Sequence, residues 1–106
     1  MSEQLNSILK KLTELKIKYK KDGFLIIGIF GSYARDDFTK DSDIDILYNI
    51  EQKFIKKYNG WGAIKRLDSL KKEIIKELNI SKVDLATADS NNQTLKKVIE
   101  KELIYV

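Results

Sequence analysis

Apolar residues recur at helical spacing over positions 3–21, where Leu5, Ile8, Leu9, Leu12, Leu15 and Tyr19 draw one stripe through a charged segment. Asp22-Gly23 stops that helix, with Gly23 suited to a left-handed cap. Phe24 to Phe30 is short, apolar and rich in isoleucine, which predicts a buried central strand. From Gly31 the chain is expected to turn into a short helix and then a polar loop through Thr39, Lys40 and Asp41.

Asp43 to Asn49 reads as a second strand, with Asp43 and Asp45 on one face and Ile44 and Ile46 on the other. A loop that includes Phe54 and ends near Gly60 leads to a helix from Trp61 to Leu78, with Ile64, Leu67, Ile74 and Leu78 on its apolar side. Lys82 to Thr87 is a third strand. Ser90 and Gln93 have capping-box spacing for a last helix carrying Leu95, Val98 and Ile99. The tail from Leu103 to Val106 looks extended, with no role assigned to it. The order α-β-α-β-α-β-α predicts an α/β fold: a small mixed three-stranded sheet flanked by helices. No repeat, proline or low-complexity linker divides the 106 residues, so 1–106 is expected to be one domain.

Composition narrows the chemistry. Without cysteine there is no disulfide, redox thiol or thiolate zinc site. Without histidine the commonest general base and the usual partner of a serine nucleophile are missing, so catalysis has to rest on carboxylates, lysines, hydroxyls or a bound metal. The formal charge of +4 comes mainly from lysines spread over helical faces, a solvated-surface pattern. No clustered basic-aromatic motif points to direct nucleic-acid binding. No apolar run approaches the ~20 residues of a membrane span and no signal-peptide pattern is present, so a cytoplasmic location and no membrane partner are expected.

Gly31 and Ser32 close the first strand. One reading is a glycine turn with serine as a helix N-cap; the other is a backbone cradle offering amides and a hydroxyl to a phosphate. Asp43 and Asp45 favour the second, because two carboxylates about 6.5–7 Å apart on one strand face repel each other unless a cation lies between them. Magnesium ions, shared between such carboxylates and triphosphate oxygens, fit that need, and two-metal sites are a known solution. Asp84, flanked by Val83 and Leu85, is also out of character for a strand and joins the pair if its strand lies beside the second. With no histidine it is the best candidate general base for an acceptor hydroxyl.

The segment Gly31-Ser32-Tyr33-Ala34-Arg35, with Ser42-Asp43-Ile44-Asp45-Ile46 and Val83-Asp84-Leu85, resembles the minimal nucleotidyltransferases of the DNA polymerase beta-like superfamily. That group includes the antitoxins of HEPN–MNT toxin–antitoxin modules, and the resemblance runs over nearly the whole chain. It implies the polymerase beta-like nucleotidyltransferase fold, with Gly31 and Ser32 holding the triphosphate of ATP. Asp43 and Asp45 would bind two Mg2+ ions, and Asp84 would act as ligand or base. The implied reaction is transfer of AMP to a hydroxyl, a tyrosine of a cognate HEPN ribonuclease toxin, in a hetero-oligomer or with a second copy. A weakly active subunit that neutralises the toxin by binding alone is the alternative. One departure stands out: the family continues Ala-Arg with glycine, whereas this chain has Asp36, whose charge near a triphosphate would oppose nucleotide binding. Arg35 is expected either on phosphate or paired with Asp36 or Asp37, and Tyr33, Phe54 and Trp61 are expected chiefly in the core.

Overall fold

The computed structural model describes residues 2–87 and 91–106. Helix α1 (Glu3–Lys20) starts under Ser2, whose hydroxyl accepts the Leu5 amide, and it buries Leu5, Ile8, Leu12, Leu15 and Tyr19. Gly23, at φ 89°, turns the chain into β1 (Phe24–Phe30). The remaining elements are β2 (Ile44–Ile50), α2 (Gln52–Tyr58), α3 (Trp61–Leu78), β3 (Val83–Thr87), α4 (Gln93–Glu102) and β4 (Ile104–Tyr105).

The strands form one mixed sheet in the order β3-β2-β1-β4. β1 is antiparallel to both neighbours, and β2 runs parallel to β3, the pair being linked by the crossover through α2 and α3. Alternation along β2 sends Ile44, Ile46 and Tyr48 into a core shared with Leu5, Leu12 and Tyr19 of α1 and Leu70, Ile74 and Leu78 of α3. Asp45 and Leu47 therefore face the other side of the sheet, against which α4 packs at β1.

The sheet has four strands where three were expected, because the tail pairs with β1: Ile104 lies opposite Ile29 and Tyr105 opposite Gly28. Gly28 permits this, since a side chain there would overlap the Ile104 carbonyl. The expected helix after Gly31 is a single turn, in which the Arg35 amide meets the Gly31 carbonyl at 3.1 Å before Asp36 takes φ 60° and ends it. Conversely, residues 52–58 are helical rather than loop, with Phe54 buried and its ring tilted against that of Tyr58 at 4.9 Å between centroids. Ser90 lies outside the described residues; α4 is capped by Asn92, whose side chain accepts the Leu95 amide.

Aromatic placement splits. Tyr33 and Phe54 are core residues, whereas Trp61 is 76% exposed. Ile64 is exposed too, because the inward line of α3 runs through Ala63, Leu67, Leu70, Ile74 and Leu78, centred about 80° around the helix from it.

Candidate active site

The ends of β1, β2 and β3 bring the sequence candidates together. Gly31 leaves β1 at φ 77°, and a methyl group on its α-carbon would overlap an Asp45 carboxylate oxygen. Positive φ and close approach of another group, two conditions that each favour glycine, thus hold at once. The approaching group is the Asp45 carboxylate itself. Asp45 lies in register with Phe30 on one side and Asp84 on the other. Residues paired across a ladder share a face and sit about 5 Å apart, so Asp84 stands beside Asp45 rather than away from it.

Asp43 sits one residue before β2 rather than on it. Its carboxylate is 3.7 Å from Lys82 Nζ, and it still acts on Asp45 through space. Burial is the first cause that raises the Asp45 carboxyl from 3.8 to about 6; the charges of Asp84 and then Asp43 add to it. Asp84 is exposed on the outer strand β3, while Asp45 is half-buried with its carboxylate close to the Gly31 α-carbon.

Ser32 follows Gly31 in the turn, half-buried, and its carbonyl accepts the Asp37 amide at 3.1 Å. The turn rests on Tyr33, which is buried and stacked on Phe38 with 4.1 Å between ring centroids. The ring is thus spent on holding the turn, not on stacking a base. Burial, with the Asp43 charge behind it, raises the Tyr33 hydroxyl pKa.

Asp36 is turned out of the site. Its two carboxylate oxygens accept the Ser2 amide and the Ser2 hydroxyl, each at 2.8 Å, which holds its pKa low and ties the turn to the start of α1. Aspartate tolerates the left-handed backbone that glycine would otherwise supply. Arg35 pairs with Asp37 at 3.1 Å and, across the fold, with Glu102 at 2.6 Å. Glu102 was not singled out from the sequence, because nothing local to α4 distinguishes it from the neighbouring Glu100.

Among the described residues, no three His, Cys, Asp or Glu side chains already converge as a ready-made cage for one ion. What stands in place is a registered pair, Asp45 and Asp84, with Asp43 at its margin. The donor chemistry fits a hard divalent cation: all-oxygen ligands whose mutual repulsion is visible in the raised Asp45 carboxyl. An ion bound at Asp45 would have Asp84 in register beside it and Asp43 at the margin.

The family model described as Nucleotidyltransferase domain matches residues 5–106. "Putative protein adenylyltransferase MJ0126" of Methanocaldococcus jannaschii is 39% identical over 107 residues, covering 100% of this chain and 97% of that protein. "Protein adenylyltransferase MntA" of Thermococcus cleftensis is 32% identical over 112 residues, covering 98% of this chain and 94% of the relative. A solved structure titled "Structure of putative minimal nucleotidyltransferase" superposes with a TM-score of 0.71 at 22% identity, over 96% of this chain and 95% of the other, a likeness of fold. No helix among the described residues is long and apolar enough to cross a membrane.

Proposed function

We propose, from the premise that the chain belongs to the nucleotidyltransferase domain family, that it transfers AMP from ATP to a tyrosine hydroxyl of a cognate HEPN ribonuclease toxin and so serves as its antitoxin. The relatives named protein adenylyltransferase support the reaction class. The observation that carries the reading is the Asp45 carboxylate lodged against the bare α-carbon of Gly31, with Asp84 in register beside it. That contact joins a phosphate-sized backbone turn to a carboxylate pair in one place.

Asp43, Asp45 and Asp84 would hold magnesium, which when bound stabilises charge on the transferring phosphoryl group. The Gly31-Ser32 turn binds the triphosphate through backbone amides and the Ser32 hydroxyl. The acceptor oxygen attacks the α-phosphorus, a new P–O ester bond forms, and the bond to the bridging oxygen of the β-phosphate breaks. Pyrophosphate leaves with that electron pair. The acceptor proton passes to Asp84, whose exposed position on an outer strand lets a hydroxyl on another protein reach it.

Binding without catalysis would rest on Asp36 and on the small size of the domain; of these, the Asp36 carboxylate is occupied by Ser2. Incubation with ATP labelled at the α-phosphate, magnesium and the cognate HEPN protein is expected to label that protein at tyrosine. Asp45→Asn should abolish the labelling. If wild type and Asp45→Asn transfer the same amount, or neither transfers any, the enzymatic reading is wrong.

A further inference from the structure

We propose that the free edge of β1, beside the last turns of α1, takes up an extended segment of another protein in which acidic and apolar residues alternate. Open backbone, unpaired cations and uncovered apolar side chains meet there in one groove. It holds about 400 Å3 and lies between Lys16 and Lys20 of α1, residues 25–27 of β1, and Tyr105 and Val106. β4 covers β1 at Gly28 and Ile29, with one further bond from the Val106 amide to the Ile27 carbonyl at 3.1 Å.

Register leaves the rest of that edge open. The Glu51 amide bonds the Gly23 carbonyl at 2.8 Å, and Phe24 and Ile26 lie opposite Ile50 and Tyr48. In an antiparallel ladder alternate residues turn their polar groups to opposite sides, so those of Phe24 and Ile26 point away from β2. Among the described residues no strand pairs with them on that side. Such an edge is a template for one more strand, whose backbone bonds form whatever its side chains.

Side-chain chemistry then selects the occupant. Phe24 and Ile26 point into the core under α1, so Leu25 faces the other side of the sheet. Tyr105, opposite Gly28, is 75% exposed, and Leu25 and Ile27 are half-buried. Apolar residues on one face of an added strand cover this patch. Its other face meets Lys16 and Lys20, neither of which has a carboxylate partner among the described residues. Lys16 donates to the Val106 carbonyl, while Lys20 is exposed. Acidic residues on that face complete the match. A second copy fits badly, because pairing two β1 edges would bring Lys16 and Lys20 of both copies together. The groove lies roughly 20 Å along β1 from Gly31, so a segment seated there leaves Asp45 and Asp84 open.

Nuclear magnetic resonance of the full chain, titrated with the end-blocked peptide Glu-Val-Glu-Val-Glu, tests this without any catalytic readout. The largest shifts are expected at the amides of Phe24, Ile26 and Tyr105. Lys20→Glu should weaken binding about threefold or more, whereas Lys10→Glu, the same change at an exposed position elsewhere on α1, should alter it less than about twofold. Two further peptides carry N-methyl groups on the valines or on the glutamates, each removing the donors along one edge. Only one edge faces β1, so one of the two should bind about tenfold or more weakly and the other nearly as well as the parent. Shifts that are absent at millimolar peptide or scattered over the lysine faces would overturn the proposal. Equal effects of the two lysine variants, or equal affinities of the two methylated peptides, would do the same. Self-association of the chain alone that protects the Phe24 and Ile26 amides from exchange would make a second copy the occupant and overturn the acidic partner.

Discussion

Neutralising Asp45 by Asp45→Asn is expected to stabilise the protein while abolishing its chemistry. The folded carboxyl is raised from 3.8 to about 6, first by burial and then by Asp84 and Asp43. Each factor of ten in acid dissociation corresponds to ~1.4 kcal/mol, so the ionised group costs the folded state up to about 3 kcal/mol at neutral pH. Solvent at the rim of the site screens part of this, leaving ~2 kcal/mol as the figure to test. The amide keeps the shape that fits against Gly31 and removes the charge.

The sign follows from proton binding. A carboxyl that holds its proton more tightly folded than unfolded destabilises nothing below pH 3.8. Its cost grows as pH rises and is complete above about 6. Wild type should therefore lose stability across that window relative to Asp45→Asn, and the two should converge in acid. Thermal and urea unfolding measured on both proteins at several pH values give the comparison; ~2 kcal/mol corresponds to roughly 10 °C in Tm for a chain of this size. Magnesium should stabilise wild type more than the variant, since it binds the folded carboxylates. A variant no more stable than wild type at neutral pH, or a difference that persists unchanged into acid, would refute the account of Asp45 as a buried, repelled charge.

Gly31→Ala is expected to cost roughly 1–3 kcal/mol from the left-handed backbone alone. By pushing Asp45 aside it should also lower AMP transfer about tenfold or more, read by unfolding and labelling on the same samples. Asp22 accepts from Lys57 Nζ at 2.6 Å and Tyr58 OH at 2.7 Å, which lowers its carboxyl below 3.8. Asp22→Asn should therefore destabilise by about 1 kcal/mol at neutral pH. That difference should vanish as pH falls through the lowered folded value, the reverse of Asp45, in the same unfolding series. Asp36→Gly should leave the KM for ATP within about twofold, because the carboxylate is held by Ser2. Amide exchange at Leu5 and Asn6 should quicken as the start of α1 loosens.

Much of this fold is legible in the sequence where periodicity is long or geometry is strict. The stripes of α1 and the isoleucine run of β1 mark their elements almost residue for residue, and Gly31 declares its own turn. The failures lie where the local pattern is too short to decide or where a distant partner decides. Residues 52–58 offer one buried anchor, Phe54, too short a signal to separate helix from loop. β4 is two residues long and is a strand only because Gly28 admits it to β1. The turn after Gly31 fails to become a helix because Asp36 adopts the left-handed conformation that closes it. Within the candidate site, Asp45 and Asp84 are visible as acids out of place in strands, and Asp43 as an acid one residue before a strand. Glu102 is invisible, because its meaning comes from Arg35 sixty-seven positions away in sequence.

The order of the strands bears on the direction of the reaction. In-line displacement requires nucleophile and leaving group on opposite sides of the phosphorus. Across the sheet, β3 carries Asp84 at the outer side, β2 carries Asp45 in the middle, and β1 ends in the Gly31 turn. On the proposed reading the base and acceptor thus lie on the β3 side and the departing pyrophosphate on the Gly31 side, with Asp45 between them. Asp84 is open to solvent, so an acceptor as large as a protein has a route to the base along that side. Charge placed on the exposed surface around Asp84 should accordingly alter recognition of the acceptor, measured as its KM, while leaving the KM for ATP unchanged.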